Sequence, residues 1–449
     1  MKTALHHESE GTPSKLLTEQ VFDRRPLALG RSGMTLHTDQ GDIFEISGGS
    51  HATSIVNDGG KVLERALHRL QGSYFSLTGR GARHPFQEEL AAIVCNLFGD
   101  SDARVFFTSG GTEAIETAAR VAYHVQNLRQ KPKATMLIGR MYSYHGMSVL
   151  ARNAANHPIH SNMEFGLDFQ WPKLPEPRCL RCPMGLVRET CLIECARTLT
   201  EIVATIGAEK IAAVILEPIA GSTGGALVPP AGYLQQISAI CRHHGILLIA
   251  DETVTAFGRV GDPFVTDSSL ADIVVGGKAL GGGFIPINAV IVAPHLCEEL
   301  ARSDSLLPLR LTFSGNPLAC AIASSVQEYI VERKLLDRVR SNSASVQDAL
   351  VMECATRCPE AVVYGQGHLW AIEVPVAKGE GSTFAQLLRM VAGQQGVEFM
   401  GGWKRDRDWD FVHFMFTPPL DATSLEISNG ISKLITTLVE AKRQAFIKV

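Results

Sequence analysis

Residues 246–278 read ILLIADETVTAFGRVGDPFVTDSSLADIVVGGK, and two short apolar runs in this stretch each lead to a reactive side chain. Ile246 to Ala250 stops at Asp251, and Ile273 to Val275 is followed by two glycines and Lys278. Continuous apolar runs of roughly four to eight residues, bounded by turn residues, are typical of strands that are buried on both faces. The stretch therefore predicts two parallel strands of a covered sheet, with an acid and a lysine beyond their carboxyl ends.

The chain before this stretch repeats the pattern. Arg104–Thr108, Ala134–Ile138 and Ile211–Leu216 predict further strands. Apolar residues at helical spacing predict a helix after the first of them and another over Tyr233–His244, with Gly245 placed to end it. Strands that alternate with helices predict an α/β fold with a mostly parallel central sheet, covered by helices on both faces.

The character of the sequence changes towards both ends. We predict that residues 1–70 form an N-terminal arm and part of a small domain, and that residues 71–317 form a large domain around the sheet. Residues 318–449 are predicted to form a smaller C-terminal α/β domain, which begins with a helix over Leu318–Ile330 and ends with one over Ser424–Phe446.

The composition is that of an ordinary globular protein and excludes several classes of function. The chain has 449 residues, of which 45% are hydrophobic and 20% are charged, and its net charge is -4. This balance offers no basic surface to nucleic acid or to an anionic membrane. No apolar run approaches the roughly 18 residues of a membrane span, and residues 1–14 lack the apolar core of a signal peptide. We therefore predict a cytoplasmic protein with no nucleic-acid partner and no membrane partner.

Reactive residues stand directly after several of the predicted strands. Ser109-Gly110-Gly111-Thr112 follows the first strand, Glu217 follows the third, and Asp251 and Lys278 follow the next two. In an open parallel sheet, ligands bind just beyond the carboxyl ends of the strands. The sequence therefore predicts that these residues converge on one binding site.

Each part of this site has a chemical use. Glycines at the start of a helix let backbone N–H groups approach a phosphate. A desolvated Asp251 requires a cationic partner, and a protonated pyridine nitrogen is such a partner. Lys278 lies between glycine pairs that leave room for a flat ligand, beside an amine whose pKa burial would lower. Taken singly, these features also fit a plain turn, a capping acid and a solvated lysine, so their convergence carries the prediction.

Ordered motifs run through most of the chain, from about Asp39 to Leu438. They include Ser109–Ala114 (SGGTEA), Tyr144–Gly146 (YHG), Glu217–Ile219 (EPI), Asp251–Glu252 (DE), Phe257–Arg259 (FGR), Gly277–Leu280 (GKAL) and Thr312–Ala319 (TFSGNPLA). In this order they resemble the class III pyridoxal-phosphate aminotransferases, the omega-aminotransferase group of fold type I.

The resemblance implies an enzyme that uses pyridoxal 5'-phosphate as its cofactor. Lys278 would carry the cofactor as a Schiff base, and Asp251 would keep its pyridine nitrogen protonated. Tyr144 would stack on one face of the ring, with Val254 against the other. His145 would either contact the ring or pack behind the residues that contact it.

The resemblance also implies how the rest of the cofactor is held. Gly110, Gly111 and Thr112 would bind its phosphate. Thr312 would reach the phosphate of the neighbouring subunit, which implies a homodimer with the site at the interface. Glu217 would order the site near the ring hydroxyl, or pair with an arginine to switch between substrates.

The implied reaction moves an amino group from a small-molecule amine or amino acid to a keto acid or aldehyde by a ping-pong mechanism. Aminomutases, epimerases, decarboxylases and phospho-lyases use the same lysine and ring, and the sequence does not choose among these reactions. A non-catalytic protein of the same fold is a further alternative, which the presence of both Lys278 and Asp251 disfavours.

Two features lie outside these motifs. A cluster of four thiols has a spacing that could bind zinc, but we favour a packed loop of reduced cysteines and predict no metal; the cluster consists of Cys179, Cys182, Cys191 and Cys195. Arg405 and Arg407 are candidates for binding a substrate carboxylate, with solvated surface charges as the alternative.

Overall fold

The computed structural model describes residues 25–56, 59–72, 75, 82–157, 169, 171–303, 306–406 and 408–447. Its strands, in chain order, are β1 (Ala28–Ser32), β2 (Thr35–Thr38), β3 (Gly41–Glu45), β4 (Arg104–Thr108), β5 (Met136–Arg140), β6 (Lys173–Leu174), β7 (Ile211–Leu216), β8 (Leu247–Glu252), β9 (Ile273–Gly276), β10 (Asn288–Val292), β11 (Val362–Gln366), β12 (Leu369–Ala377), β13 (Val397–Glu398), β14 (Gly401–Arg405) and β15 (Trp409–Phe416).

The helices pack on and around these strands. They are α1 (Gly59–Leu70), α2 (Pro85–Phe98), α3 (Gly111–Leu128), α4 (Val149–Ala154), α5 (Glu194–Ile206), α6 (Tyr233–His244), α7 (Pro294–Ala301), α8 (Pro317–Glu332), α9 (Leu335–Arg357), α10 (Gly381–Gln394) and α11 (Ser424–Ile447). Among the described helices, none is both long and apolar enough to cross a bilayer.

The central sheet has seven strands in the order β4-β10-β9-β8-β7-β5-β6. β10 runs antiparallel to β4 and β9, and the other neighbours pair in parallel. Every residue of β7 and β8 is buried because helices cover both faces of the sheet. The prediction of a mostly parallel, doubly covered sheet is confirmed.

Two of the predicted strand boundaries are wrong. The strand predicted over Ala134–Ile138 lies two residues later and ends at the buried Arg140. The strand predicted to stop at Ala250 continues through Asp251 and Glu252, because these residues still pair with Val275 and Gly276 of β9. The carboxylate of Asp251 therefore projects from a rigid strand end, where pairing restricts its motion.

Smaller sheets complete the fold. β11, β12, β15 and β14 form an antiparallel sheet whose one face packs on α9, α10 and α11. Its other face meets the central-sheet half of the molecule through residues such as Ala371 and Met415, which contact Ile219 and Val260. β1, β2 and β3 form a second sheet that is completed by β13. The division into residues 1–70, 71–317 and 318–449 stays a prediction, and residues 1–24 of the arm lie outside the described part.

Arg259 joins the two halves of the molecule. Its guanidinium is fully buried and donates hydrogen bonds to four backbone carbonyls, those of Ala52, His368, Thr417 and Pro418. Burial lowers the pKa of Arg259 to about 10, so the group remains charged at neutral pH. One side chain thus satisfies carbonyls from three separate segments.

Replacing Arg259 with Met is expected to lower the free energy of unfolding by about 3–5 kcal/mol, because buried carbonyls lose their charged donor. Urea denaturation of the two proteins measures this loss. Arg302→Met is the control, since Arg302 is exposed and pairs with the exposed Glu298, so it should cost less than about 1 kcal/mol. Equal effects of the two substitutions would show that Arg259 does not join the halves.

Candidate active site

A cavity of about 1610 Å³ opens at the carboxyl edge of the central sheet. The sheet brings together there nearly all the residues that the sequence predicted for the site. Its wall includes Gly110, Gly111, Thr112, Tyr144, His145, Glu217, Asp251, Val254 and Lys278.

Lys278 follows β9 in a strained backbone conformation. Its φ of 41° lies in the left-handed region, which costs a non-glycine residue of order 1–3 kcal/mol and is common at functional sites. The preceding Gly277 admits no side chain, because a Cβ atom there would lie 2.0 Å from Oδ1 of Asn288. Burial lowers the pKa of Lys278 to about 8, although Asp251 opposes the shift. About a tenth of the amine is therefore uncharged at pH 7, far more than for an ordinary lysine.

The lowered pKa of Lys278 predicts how fast the apoenzyme captures an aldehyde, since only the free amine is a nucleophile. With a pKa of about 8, the free-amine fraction rises about tenfold between pH 7 and pH 9. An ordinary lysine with a pKa of about 10.4 would rise about a hundredfold over this interval. Stopped-flow absorbance of apoenzyme mixed with pyridoxal phosphate distinguishes the two, and a hundredfold rise would contradict the buried environment.

Asp251 is held as an anion by its neighbours. Its Oδ2 lies 2.8 Å from Nδ1 of His145, and its Oδ1 accepts hydrogen bonds from the backbone N–H and the hydroxyl of Thr253 at 3.1 and 2.6 Å. Burial alone would raise the pKa of Asp251, but the contacts with His145 and Thr253 outweigh it and hold the pKa below its ordinary value. A carboxylate that stays ionised when buried is suited to pair with a cationic ring nitrogen.

The start of α3 also lines the cavity. Gly110 caps the helix without a side chain, and the Glu113 carboxylate accepts from the N–H groups of Ser109 and Gly110. The first N–H groups of a helix have no partner within it, so those of Gly111 and Thr112 are suited to an anion. Gly146 packs against this helix start, where an added Cβ would lie 2.5 Å from the Thr112 hydroxyl.

Glu217 lies in the same cavity wall. Its Oε1 accepts a hydrogen bond from the Gly221 N–H at 3.0 Å, and its Oε2 lies 3.6 Å from the guanidinium of Arg140. Burial raises the pKa of Glu217, and Arg140 and His145 oppose the rise. The sequence prediction missed Arg140 because the strand was taken to end before it. Its only sequence signal is a cation placed just ahead of the Tyr144–Gly146 motif.

These residues fit pyridoxal phosphate. A helix start with free N–H groups, an anionic carboxylate and an amine of lowered pKa face one cavity. The model of the family described as aminotransferase class III matches residues 61–436.

The chain belongs to the class III aminotransferases.

Known members of the family support this assignment along the chain. An omega-aminotransferase from Caulobacter vibrioides is 32% identical over 345 residues, which are 73% of this chain and 76% of that protein. The crystal structure of an (S)-enantioselective omega-transaminase from Thermomicrobium roseum superposes with a TM-score of 0.81 at 26% identity and covers 93% of both chains. A pyridoxal-phosphate-bound aminotransferase mutant from Vibrio fluvialis shares the fold, with a TM-score of 0.82 at 23% identity, 94% coverage of this chain and 93% of that one. The chain with Lys278 and Asp251 is accordingly a pyridoxal-phosphate-dependent transaminase of fold type I.

The second wall of the cavity in this aminotransferase comes from the C-terminal half, and the sequence did not predict it. Phe399, Met400, Trp403 and His413 line it, together with Arg389 of α10. These residues lie in or next to β14, β15 and α10, more than a hundred residues from Lys278 in sequence, and no local motif marks them.

Arg405, one of the two arginines considered for binding a substrate carboxylate, is not brought to the cavity. Arg405 is exposed, lies over the Trp403 ring at 5.4 Å and pairs with Asp410 at 3.5 Å, outside the cavity wall. Arg407 lies outside the described residues. Of the arginines in the described wall, Arg389 faces the cavity from the C-terminal half.

Thr312 also lies away from the cavity of its own chain, on an exposed turn before α8. The cysteine cluster does not line the cavity. Cys195 is buried, and the other three thiols are partly buried. Within the described part of the chain, no group of three or more His, Cys, Asp or Glu side chains is arranged to hold a metal ion.

Proposed function

We propose that Lys278 and Asp251 are the catalytic residues of this transaminase, and that its donors are small primary amines with an apolar group. The observation that supports the roles is the shared cavity, in whose wall an amine of lowered pKa and an ionised carboxylate lie together with the start of α3. The apolar preference is inferred from Phe284, Ile285 and Trp403 in the same wall.

Lys278, Asp251 and His145 have different roles in the proposed reaction. Pyridoxal phosphate, when bound, supplies an aldehyde that condenses with amines and a ring that takes up electron density from the substrate carbon. Lys278 would hold that aldehyde and release it to the substrate amine, and its free amine would then take up a proton from the substrate and deliver it again. Asp251 would pair as an anion with the ring nitrogen, and His145 fixes the orientation of its carboxylate.

The other predicted contacts complete the proposal. The N–H groups at Gly110, Gly111 and Thr112 would hold the phosphate. Tyr144 and Val254 would lie against the faces of the ring, and both line the cavity.

Transamination is tested by its two half-reactions. Holoenzyme mixed with an apolar primary amine should convert to the pyridoxamine form, and pyruvate or 2-oxoglutarate should return it to the starting spectrum. An aliphatic amine and a highly polar amine of similar size form the matched pair for the side-group preference. An absorbance that never leaves the starting form with any amine, while product accumulates, would favour an epimerase or another reaction on the same ring.

We also propose a homodimer with the active site at the interface. Large apolar side chains are exposed near Thr312 and near the mouth of the cavity, notably Leu306 and Phe313 in the first group and Met147 in the second. Monomers rarely expose such surface without a partner. A second copy placed on it would bring Thr312 to the neighbouring phosphate site.

Thr312→Ala is expected to weaken pyridoxal-phosphate binding about tenfold, because a charge-assisted hydrogen bond across the interface is lost. The dissociation constant is measured by fluorescence titration of the apoenzyme, and light scattering reports the oligomeric state. The control is Thr356→Ala, an exposed threonine on α9 whose hydroxyl donates to the Met352 carbonyl in its own helix. If Thr312→Ala binds the cofactor as tightly as the control does, the role across the interface is wrong.

We propose a cytoplasmic location. All ten cysteines are free thiols, which is the state expected in a reducing compartment. Fractionation of cells that express a tagged chain tests this proposal.

A further inference from the structure

Arg140 is a buried cation that the reaction described above does not use. It is the last residue of β5, which pairs with β7, and Glu217 follows β7 directly. The Arg140 guanidinium is 1% exposed, donates to the Glu217 backbone carbonyl at 3.2 Å, and lies 3.6 Å from the Glu217 Oε2 atom. Arg140 therefore contacts both the backbone and the carboxylate of a residue in the cavity wall.

Among the charged groups around Glu217, Arg140 opposes the rise in its pKa most strongly. Asp251 on β8 and Lys278 after β9 face the same cavity, and His145 lies near both carboxylates. Tyr233 of α6 lies beside Arg140 on the far side and carries no charge at neutral pH, since burial raises its pKa to about 12. Without Arg140, Glu217 would be a buried carboxylate near a second one, Asp251, which raises its pKa further. A buried charge without such compensation is strongly disfavoured.

The side chains of Arg140 and Glu217 form an ion pair, but no hydrogen bond joins the guanidinium to the carboxylate. Within the described residues, Nε and NH2 of Arg140 and Oε2 of Glu217 have no hydrogen-bond partner. Oε1 of Glu217 is bound to the Gly221 N–H. Glu217 is thus oriented through Oε1 and its backbone, while Oε2 keeps capacity to accept a hydrogen bond.

We propose that Arg140 is a positioning residue of this transaminase, which keeps the Glu217 carboxylate ionised and fixed in the cavity wall. The inference rests on the proposed place of Glu217 near the ring hydroxyl of the cofactor. Because its arginine partner belongs to the rigid central sheet, Glu217 is not a movable partner for an arginine of the C-terminal half such as Arg389. Substrates with and without a carboxylate are therefore received without any exchange of the Glu217 ion pair.

The test compares Arg140→Met, Arg140→Lys, Glu217→Gln and the double variant Arg140→Met/Glu217→Gln. Arg140→Met should lower kcat/KM about 10- to 100-fold at pH 7, which corresponds to losing one charged contact. The acidic limb of the pH profile of kcat/KM should move to higher pH by about 1–2 units, because burial then raises the pKa of Glu217 with only His145 and the Gly221 N–H group opposing the rise. Arg140→Lys, which keeps the charge, should retain the wild-type acidic limb.

The double variant separates positioning from a merely structural role. It should be no slower than Glu217→Gln alone, since Arg140 acts through that carboxylate. An Arg140→Met loss that is equally large in the Glu217→Gln background, with an unmoved acidic limb, would overturn the proposal. Wild-type kinetics of Glu217→Gln would instead overturn the proposed place of Glu217 near the cofactor. If Arg140→Met does not fold, Arg140→Gln replaces it, since glutamine keeps a donor and removes the charge.

Discussion

Lys278→Ala is expected to abolish transamination, with kcat reduced by about 10⁴-fold or more. Substitution of a residue that acts as both nucleophile and base removes two functions at once, and such losses are among the largest seen for single residues. The strained backbone, the neighbouring glycines and the lowered pKa all occur at Lys278. Pyridoxal phosphate should still bind to the variant, but its absorbance should be that of the free aldehyde.

Lys173 supplies the matched control for this substitution. It is the other lysine whose pKa burial lowers to about 8 in the described chain, and its Nζ donates to the carbonyls of Asn153 and Trp171. It does not line the cavity. Lys173→Met should therefore keep the spectrum of bound cofactor and most of the activity. A Lys278→Ala protein that still transaminates at more than a hundredth of the wild-type rate would show that another amine serves as the base.

Asp251→Asn is expected to lower kcat by about 10²- to 10³-fold, the range seen when a preorganised charge partner is removed. The amide keeps the shape and a hydrogen bond to Thr253 but not the negative charge that would stabilise a protonated ring nitrogen. Because the pKa of Asp251 lies below its ordinary value, the wild-type carboxylate remains ionised throughout the neutral range and is lost only on strong acidification. The variant should still carry cofactor on Lys278, so its lower kcat would not be caused by loss of the cofactor.

Glu252→Gln is the control for Asp251→Asn. Glu252 is the next residue of β8, is fully buried, and binds the backbone of Val265 and Thr266 away from the cavity. This change should reduce stability and leave the rate per folded molecule near the wild type. Steady-state kinetics at equal active-site concentrations give both values. Equal losses of rate in the two variants would show that Asp251 contributes only to folding.

The sequence predicted the parts of the site that depend on strand ends. β7 and β9 are continuous apolar runs, and such runs have few alternatives to a buried parallel strand. Residues placed just beyond them, Glu217 and Lys278, must then lie at one edge of the sheet. This rule does not depend on the conformation of the loops, so the part of the cavity wall at the edge of the central sheet could be predicted.

The remainder of the site depends on contacts between distant segments. His413 bonds the Ser222 carbonyl, and the Tyr142 hydroxyl bonds the backbone of Arg405, across roughly 190 and 260 residues. No periodicity in either segment encodes such a pairing, so the wall formed by β14 and β15 could not be predicted. Arg140 was missed for a different reason: a charged residue at the end of an apolar run was taken to lie outside the strand.

The covalent attachment of pyridoxal phosphate to Lys278 is the central claim, and borohydride trapping tests it most directly. Holoenzyme is reduced with sodium borohydride, digested, and mapped by mass spectrometry for a phosphopyridoxyl-lysine. The account predicts one modified peptide, with the adduct on Lys278, and none in the Lys278→Ala protein. An adduct at Lys173 or at any other lysine, or a protein that stays colourless and unmodified with excess cofactor, would contradict it.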